Sequence, residues 1–243
     1  MPLISVHSPL SLASSNPGKL REFSTAALAR GICVEPLPGF KTLPACIEDG
    51  NSFEENARKK ALHYSAFVSG AVFADDSGIS VDALGGAPGI FSARFAGPDA
   101  TDAENNRKLI GELRRAEEAA QGPDSAPLQT RSQEGVGARE VQNQASRRAA
   151  HYVCVIALAH SGRILCVAEG RADGVILEEP RGTGGFGYDP YFFYAPLGKT
   201  FAELNPDEKF AFSHRGKAFR QLLDLITVPL SGEGSPSPYF RRS

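Results

Sequence analysis

The sequence predicts an α/β protein with one elongated, mixed β-sheet, helices around it and a substrate cleft between two lobes. Three patterns support this class. Residues 10–37 follow a strand, loop, helix, strand order, and residues 72–82 form an apolar run interrupted by two acids. Residues 151–169 form two apolar runs joined by a short Gly-containing turn, which is typical of a hairpin. Strand and helix patterns thus share one chain, as an α/β class requires.

Length and composition are those of an ordinary globular protein. The 243 residues are 42% hydrophobic and 22% charged, with a formal net charge of −2. That charge does not favour a broad nucleic-acid or membrane surface, so we expect neither partner. The four cysteines lack CxxC spacing, which favours buried free thiols in a reducing compartment over zinc ligands or disulfides. The N-terminal segment lacks the basic start and apolar stretch of a signal peptide, so we expect a cytoplasmic protein.

The first predicted unit is a short strand, residues 10–13, that leads through a small polar loop into a helix, residues 20–30. The loop, residues 14–19, contains a glycine. Its free backbone N–H groups and the helix dipole suit an anion, and Lys19 adds a full positive charge. The spacing is not that of a P-loop, so an ordinary capped helix after a turn stays open as the alternative.

A second strand is predicted over residues 32–37, and an acidic loop that contains Glu48 precedes the second helix. Ser52 is a good N-cap with a glutamate three residues later, which is the spacing of a capping box. The helical pattern covers residues 53–68. Lys60 lies one turn from an asparagine and can share its face.

The stretch around which these units are organised is residues 72–82, where apolar side chains lead directly into Asp75 and Asp76. We interpret it as a buried strand that ends at these acids. Because successive strand side chains point to opposite faces, Asp75 and Asp76 cannot both face one ligand. One of them could meet Mg²⁺, which proteins hold through a few oxygen ligands completed by substrate phosphates. A simple Asp-Asp-Ser-Gly turn is the alternative.

The middle of the chain combines a loop, a helix and a hairpin. Residues 84–89 are too rich in glycine and proline for a regular element. A helix is predicted over residues 103–115, and the two hairpin strands over residues 151–159 and 163–169.

The domain organisation follows from composition. Residues 1–228 are predicted to form a single domain, interrupted by a polar segment at residues 116–148. That segment has few large apolar side chains, so we expect a solvated, disordered insertion whose deletion leaves activity intact. Residues 229–243 are rich in Ser, Pro and Gly, so we expect a flexible tail.

Two later stretches favour nucleotide binding. Glycine is dense in residues 181–193, which lets the backbone approach a ligand closely, and Phe186 and Tyr188 offer flat surfaces for a base. An aromatic turn before a core strand explains the same pattern equally well. Basic residues crowd the start of the last predicted helix, residues 218–226, where a phosphate or a purine carbonyl would be well met.

Six blocks in a fixed order carry a resemblance to a known family. They are residues 13–19, 53–57 with Lys60, 74–78, 84–94, 182–190 and 213–216. Together they resemble the inosine triphosphate pyrophosphatase family, whose members hydrolyse non-standard purine nucleoside triphosphates. The resemblance covers nearly the whole chain except residues 116–148 and the two ends. The uninterrupted glycine-rich run at 182–190 is more similar to the bacterial branch than to the animal one.

The resemblance implies a Mg²⁺-dependent hydrolysis of ITP, dITP or XTP between the α- and β-phosphates, giving a nucleoside monophosphate and pyrophosphate. It makes Asp76 the catalytic acid that binds Mg²⁺ and helps to activate water, with Asp75 in support. The second metal ligand would be Glu48, chosen over the adjacent Asp49. Substrate contacts are implied for Ser14, Ser15, Asn16 and Lys19, for Lys60, Ser77 and Lys209, for Phe186, Gly187, Tyr188 and Asp189 around the base, and for His214 and Arg215 at its 6-keto group.

One departure from the family pattern is visible in the first block. Ser14 and Ser15 stand where Thr-Gly is commoner. Ser14 keeps the hydroxyl, whereas Ser15 is expected to adopt a backbone conformation that glycine adopts more easily.

The implied chemistry agrees with the residue types. Phosphoanhydride hydrolysis needs positioning and charge neutralisation more than a strong nucleophile, and Lys, Arg and Mg²⁺ supply both. A site built from hydrogen-bond donors accepts a 6-oxygen and rejects the amino group of adenosine, because buried polar groups would be left unpaired.

Two other functions compete with this hypothesis. One is a related pyrophosphatase for pyrimidine or modified nucleotides, as in septum-inhibitor relatives of the same fold. The other is a nucleotide-binding sensor that has lost catalysis, which the presence of Asp76 and Lys19 argues against. The family resemblance also implies a homodimer.

Overall fold

The computed structural model describes residues 4–5, 9–121 and 147–227. The described strands, in chain order, are β1 (Ile4–Ser5), β2 (Leu10–Leu12), β3 (Val34–Pro36), β4 (Val72–Val81), β5 (Ala149–His160), β6 (Arg163–Ile176), β7 (Phe192–Tyr194), β8 (Lys199–Thr200) and β9 (Ile226–Thr227). The helices are α1 (Pro17–Leu28), α2 (Phe53–Ser65), α3 (Asp102–Gln121), α4 (Pro206–Phe212) and α5 (His214–Leu225). None of these helices is long and apolar enough to cross a membrane.

The main sheet has seven strands in the order β3-β2-β4-β5-β6-β7-β8 within the described part of the chain. Strands β2, β3 and β4 run parallel, and β4 through β8 pair antiparallel. Parallel strands need a long crossover connection, which α1 provides between β2 and β3 and α2 provides before β4. The long strands β5 and β6 are joined by a short turn instead, so they pair antiparallel. The predicted α/β class with a mixed sheet flanked by helices is therefore confirmed.

Helices cover both faces of the parallel half. Phe23 of α1 contacts Phe73 of β4 and Phe219 of α5, with ring centroids 5.3 and 4.7 Å apart. On the opposite face, Ala57 and Ala61 of α2 belong to a separate buried cluster with β4 and β5. This arrangement leaves β4 between two helical layers, so its side chains are buried on both faces.

A further buried cluster fills the antiparallel end of the sheet, where α3 packs beside β5 and the loops that follow β6. It contains Leu109 and Leu113 of α3, with Tyr152, Phe192 and Phe201. The aromatic rings of the last three are in mutual contact at 4.6 to 5.8 Å between centroids. The apolar interior is thus divided between the two ends of the sheet.

The prediction that the central strand ends at its two acids is wrong. Strand β4 continues to Val81, with Asp75 paired to Ile156 and Asp76 to Val155 of β5. The Ser-Gly pair does not end the strand, because β5 supplies an uninterrupted hydrogen-bonding partner alongside it. The acids therefore lie in the middle of a central strand.

The predicted helix boundaries also need correction. Helix α1 covers Pro17–Leu28 rather than residues 20–30, and α2 ends at Ser65 rather than at residue 68. Helix α5 begins at His214 rather than at residue 218, because Ser213 caps it by accepting a hydrogen bond from the Gly216 N–H at 3.1 Å. Helix α3 runs to Gln121, which lies inside the segment predicted as a disordered insertion. Arg148, at the other end of that segment, is buried and pairs with Glu117 at 2.6 Å. Residues 122–146 and the predicted tail, 229–243, lie outside the described residues.

Candidate active site

The loop between β2 and α1 has the strand–loop–helix geometry that suits an anion. Asn16 caps α1, and its Oδ1 accepts hydrogen bonds from two N–H groups of the first turn at 2.8 and 3.2 Å. Ser14 Oγ accepts a hydrogen bond from the Asn16 N–H at 3.2 Å, and Ser15 is exposed. Among the described residues, Ser161 alone combines a side chain with a positive φ, so Ser15 needs no conformation reserved for glycine.

Asp75 is buried on the face of β4 that packs against α1 and α5. Lys19 Nζ lies 2.7 Å from its carboxylate and Arg215 Nε 3.9 Å, and Ser77 Oγ donates to it at 3.2 Å. Burial would raise the pKa of Asp75, but the positive charges of Lys19, Arg215 and Lys60 together outweigh burial and lower that pKa to about 2. Asp75 is therefore a charged anchor that positions cations and does not carry protons near neutral pH.

Asp76 projects from the opposite face of β4, towards α2, as the alternation of strand side chains predicts. Its Oδ2 accepts a hydrogen bond from Asn56 Nδ2 at 3.1 Å, and its Oδ1 accepts one from the Ser77 N–H at 3.1 Å. Burial raises the pKa of Asp76, although Lys60 and Asn56 act in the opposite direction. A raised pKa makes the carboxylate a stronger base, which suits a group that takes a proton from water.

Lys60 connects this region to the acidic loop before α2. Its Nζ donates to the main-chain oxygen of Asp75 at 3.1 Å and lies 2.9 Å from Glu48 Oε2. Burial alone would lower the pKa of Lys60. The negative charges of Glu48 and Asp75 outweigh burial and raise that pKa, so the ammonium stays charged. Asp49 instead pairs with the outward-facing Lys59 at 2.6 Å. Of the two adjacent acids, Glu48 is the one that lies beside the central strand.

Glu48 and Asp76 are carboxylates of the type that holds Mg²⁺ in proteins. Lys60 links the two regions, because its Nζ lies 2.9 Å from Glu48 Oε2 and 3.1 Å from the main-chain oxygen of Asp75, the residue next to Asp76. Mg²⁺ is usually held by one or two carboxylates together with substrate phosphates. Carboxylate oxygens have lone pairs beyond the single hydrogen bond that each Asp76 oxygen accepts here. The described residues contain no group of three or more His, Cys, Asp or Glu side chains placed to hold a metal.

Charged side chains of alternating sign connect the first loop to the glycine-rich loop. In order they are Lys19, Asp75, Arg215, Glu22, Lys209 and Asp189. Arg215 Nη1 lies 2.8 Å from Glu22, and Lys209 Nζ lies 3.6 Å from Glu22 and 2.6 Å from Asp189. Burial would lower the pKa of Arg215, but Glu22 and Asp75 raise it. This alternating chain of charges ties α1, β4, α4, α5 and the glycine-rich loop around one site.

The glycine-rich loop presents Phe186 to the site. The ring of Phe186 lies over both cations, with its centroid 4.3 Å from Lys209 Nζ and 5.2 Å from Arg215 Cζ. The loop is fixed by Asp189, whose Oδ2 accepts a hydrogen bond from the Phe186 N–H at 2.8 Å. At Gly185, φ is +71° and an added Cβ would lie 2.2 Å from Asp189 Oδ2, so this turn depends on glycine.

Three further predicted substrate contacts interact with other parts of the protein. Tyr188 is 4% exposed, and its hydroxyl donates to a main-chain oxygen at 2.7 Å. His214 is buried, with its ring stacked 4.4 Å from that of Tyr152, and burial lowers its pKa well below the usual value. The Gly187 N–H donates to Asp102 at 2.7 Å. Tyr188 and His214 are therefore buried, whereas Phe186 is exposed.

A cavity of about 630 Å³ opens beside Phe186, between α1, α4 and α5. Glu22, Lys209 and Phe186 line one end of it. The floor is largely apolar and continues along α1 towards Arg30. The cavity thus offers an aromatic face, an ammonium and a carboxylate at a single opening.

Sequence reasoning missed two residues that the structure brings into the site. Asn56 is 1% exposed; it joins the acidic loop to β4 by accepting from the Gly50 N–H at 2.8 Å and donating to Asp76. Glu22 lies between Arg215 and Lys209. The available signals were weak: Glu22 follows Lys19 by one helical turn, and Asn56 follows a capping box. Their importance depends on contacts with distant segments.

The arrangement combines a strand–loop–helix unit with cations, a basic carboxylate in the central strand and an aromatic cavity. Lys19 and Lys60 approach the strand from opposite sides and place positive charge around the two acids. Such a site can hold a polyphosphate and direct water to it, because phosphoryl transfer depends mainly on positioning and charge neutralisation.

Known proteins resemble this chain in sequence and in structure. The Ham1 family model matches residues 10–126 and 119–225. A dITP/XTP pyrophosphatase of Syntrophobacter fumaroxidans is 43% identical over 216 residues, covering 89% of this chain and 81% of that protein. A protein of the same name from Geobacillus kaustophilus is 41% identical, covering 92% of this chain and 96% of its own length.

Solved structures agree with these sequence matches. A HAM1 protein from Coxiella burnetii superimposes with a TM-score of 0.69 at 36% identity, covering 90% of this chain and 96% of that one. The Ham1 protein of Staphylococcus aureus gives 0.68 at 32% identity, covering 88% and 96%. The predicted family resemblance is thereby confirmed: sequence and fold agree, and the chain belongs to the Ham1 family.

Proposed function

We propose that this protein hydrolyses non-standard purine nucleoside triphosphates, namely ITP, dITP and XTP, to the nucleoside monophosphate and pyrophosphate. Membership of the Ham1 family supports the reaction class, because relatives named dITP/XTP pyrophosphatase match most of the chain. The observation that carries the proposal is the position of Asp76 in the central strand, with Asn56 hydrogen-bonded to it and Lys60 hydrogen-bonded to the main chain of the preceding residue.

The chain's own residues account for most of the reaction. The first loop and Lys19 hold the triphosphate, and Lys60 adds positive charge from the other side of β4. Asp76 accepts a proton from the water that attacks the α-phosphorus. The bond between that phosphorus and the α–β bridging oxygen breaks, and pyrophosphate leaves. Asp75 keeps Lys19 and Arg215 in position. When held by Glu48 and Asp76, Mg²⁺ supplies further neutralisation of the phosphates and lowers the pKa of water.

Base recognition is assigned to the other end of the alternating chain of charges. Phe186 supplies a stacking face, and Lys209 and Arg215 are donors for a 6-oxygen. Adenine carries an amino donor at that position, so it leaves the buried donors unpaired and is rejected. Tyr188, Gly187 and His214 support this end by fixing the glycine-rich loop and the first turn of α5.

The remaining parts of the proposal concern assembly and location. We propose a cytoplasmic homodimer, as the family resemblance implies. Phe91, which is 54% exposed, supplies apolar surface for a second copy. Sedimentation equilibrium measures the assembly directly, and a monomer at micromolar concentration would contradict it.

The test measures pyrophosphate release from ITP and from ATP, each with Mg²⁺ and with EDTA. We expect strong release from ITP that requires Mg²⁺, and little from ATP. Asp76→Asn is expected to lower turnover by about a hundredfold or more, as loss of a general base does. Asp82→Asn is the matched control, because Asp82 lies just beyond β4 and its side chain is 61% exposed.

Each outcome decides between the alternatives. Equal rates of pyrophosphate release from ITP and ATP would support the hydrolase activity but contradict the proposed base selectivity. Binding of ITP without any release would favour the sensor, and release from pyrimidine triphosphates alone would favour the septum-inhibitor type of activity. Circular dichroism of the Asp76→Asn variant separates loss of catalysis from loss of folding.

A further inference from the structure

Two side chains of α2, Asn56 and Lys60, each connect the acidic loop before the helix to the central strand. Asn56 accepts a hydrogen bond from the Gly50 N–H at 2.8 Å and donates to Asp76 at 3.1 Å. Lys60 lies 2.9 Å from Glu48 and donates to the main chain of β4 at 3.1 Å. Residues four apart in a helix lie on the same face. One face of α2 therefore joins the acidic loop to β4 at two points.

The two partners of Asn56 fix the orientation of its amide group. A main-chain N–H can only donate, so the amide oxygen faces Gly50 and the amide NH₂ faces Asp76. Asn56 is 1% exposed. An added Cβ at Gly50 would lie 2.7 Å from Asn56 Oδ1, so the loop approaches the amide closely. The direction of the donor to Asp76 is thus set by the acidic loop as well as by α2.

The Asp76 carboxylate accepts one hydrogen bond on each oxygen. The Ser77 N–H donates to Oδ1 and Asn56 Nδ2 donates to Oδ2, both at 3.1 Å. The first donor belongs to the main chain of the same strand, whereas the second reaches across from α2. Two donors from different elements restrict the rotation of the carboxylate about its Cβ–Cγ bond. Such restriction matters for a catalytic group, because a small misplacement of reacting atoms lowers a rate strongly.

Closure of the acidic loop alone does not explain the choice of asparagine. Ser52 already caps the first turn of α2 by accepting a hydrogen bond from the Glu55 N–H at 3.1 Å. The Gly50 N–H needs only an acceptor, which an aspartate would also supply. Asparagine adds a donor, and this donor is directed at Asp76. The donor is therefore the feature that points beyond a structural role.

We propose that Asn56 is a positioning residue, which holds the Asp76 carboxylate in the orientation that takes a proton from the attacking water and keeps the acidic loop against β4. The inference rests on the proposed function. It gives Asn56 no contact with the nucleotide, so loss of the amide should impair the chemical step and leave substrate binding intact. A fall in kcat with KM unchanged is the kinetic sign of such a loss.

The test compares Asn56→Leu with Asn105→Leu, since leucine keeps the branching at Cγ and removes both donor and acceptor. Asn105 of α3 is 3% exposed; it accepts from the Ala96 N–H at 2.8 Å and donates to a main-chain oxygen at 3.2 Å. Both variants should lose stability in urea. Only Asn56→Leu should lower kcat for ITP, by about tenfold or more, the loss typical of one hydrogen bond to a charged group.

A second variant, Asn56→Asp, separates the two hydrogen bonds. Aspartate keeps an acceptor for the Gly50 N–H and replaces the donor to Asp76 by a negative charge. We expect kcat to fall at least as far as in Asn56→Leu, although the acidic loop keeps its contact. Because this variant retains the loop contact, it also decides the question if Asn56→Leu does not fold.

Binding of ITP in EDTA provides a readout that is independent of turnover. Calorimetry should give the same Kd, within about threefold, for wild type and Asn56→Leu, because positioning of Asp76 affects the chemical step. A Kd raised as much as kcat/KM is lowered would assign Asn56 to substrate binding and overturn the positioning role.

The outcomes separate this inference from the proposed function. Absence of Mg²⁺-dependent ITP hydrolysis in wild-type protein would reject the proposed function itself. Efficient wild-type hydrolysis with an unchanged kcat in Asn56→Asp would reject only the role of Asn56, since the donor to Asp76 would then be dispensable. Equal falls in kcat for Asn56→Leu and Asn105→Leu would also reject it, because the loss would then follow stability rather than the position of Asp76.

Discussion

Asp75 and Asp76 are adjacent and chemically identical, yet their pKa values shift in opposite directions. Asp75 is buried among Lys19, Arg215 and Lys60, whose charges lower its pKa to about 2. Asp76 is raised by burial and has a neutral asparagine as its hydrogen-bonding partner. Opposite faces of one strand therefore produce one permanently charged anchor and one better base.

A residue-scale prediction concerns His214, whose pKa is held well below its usual value by burial and by Arg215. Below about pH 6.5 the unfolded chain protonates this histidine and the folded chain does not. The contribution of neutral His214 to the free energy of unfolding is therefore fully present above pH 6.5, and it decreases as the pH is lowered. Linkage gives a slope of up to about 1.4 kcal/mol per pH unit. Urea unfolding between pH 7.5 and 5.5 measures it.

The control for this prediction is a variant that keeps the ring but cannot titrate. His214→Phe retains the stack on Tyr152 and should show a shallower loss of stability than wild type over the same pH range. His160→Gln changes an exposed histidine and should leave the slope near that of wild type. Parallel curves for wild type and His214→Phe would contradict the assignment.

At the scale of elements, close packing of helix α5 on strand β6 places Arg215. Gly170 of β6 faces the first turn of α5, and an added Cβ would lie 2.1 Å from the His214 carbonyl oxygen and 2.4 Å from the Ala218 nitrogen. Both of these neighbours are main-chain atoms, so they cannot move without moving the helix. The position of the cations thus depends on a glycine outside the site.

We therefore predict that Gly170→Ala displaces α5 and weakens both folding and catalysis. Overpacking of this kind costs about 1–3 kcal/mol, and the free energy of unfolding should fall by that amount. The ratio kcat/KM for ITP should fall as well, because Arg215 moves with the helix. Chemical denaturation and steady-state kinetics measure the two effects.

Gly111→Ala is the matched substitution. Gly111 lies inside α3 with no atom within 4 Å of an added Cβ. Alanine there should leave activity unchanged and raise stability by up to about 1 kcal/mol, because glycine is a poor helix former. Equal effects of the two substitutions would show that Gly170 does not control the placement of α5.

At the scale of the whole molecule, the polar segment is joined to the fold at both of its ends. Arg148 contacts Glu117 at 2.6 Å and also contacts Glu178, which in turn pairs with Arg114. This network connects α3, the start of β5 and the segment after β6. This network of charges makes both ends of the segment part of the domain, although composition alone assigned them to an insertion.

Removal of the middle of this segment and removal of the whole segment are therefore expected to have different effects. Replacement of residues 122–146 by a short Gly-Ser linker should leave ITP hydrolysis and stability near wild type, because the side chains of Glu117 and Arg148 are already in contact. Deletion of residues 116–148 should lower stability, since it removes a buried arginine and its partner. Arg148→Ala should reproduce part of that loss, about 1–3 kcal/mol.

Thermal and urea unfolding of the three proteins tests this division. If both deletions behaved alike, the Arg148 network would have no structural role. A large loss of activity in the shorter deletion would instead assign a functional role to residues 122–146.

Local patterns determined much of the fold. The β5–β6 hairpin, the capped start of α2 and the strand–loop–helix unit at Lys19 depend on neighbours within a few residues, so periodicity and capping signals predict them. The six motifs in their fixed order also indicated the family, and the comparisons confirm it. The end of β4 could not be predicted in this way, because a Ser-Gly pair after two acids is compatible with a turn until β5 pairs with it.

The sequence by itself determined the α/β class, the family and the side chains available for the chemistry. Only the tertiary structure decided which of them meet. Glu22 became a link between Arg215 and Lys209, and Asn56 a partner of Asp76, through contacts between segments far apart in the chain. Tyr188 and His214 were drawn into the interior by packing. The physical reason is that burial and charge pairing depend on distances in space, which local sequence patterns do not specify.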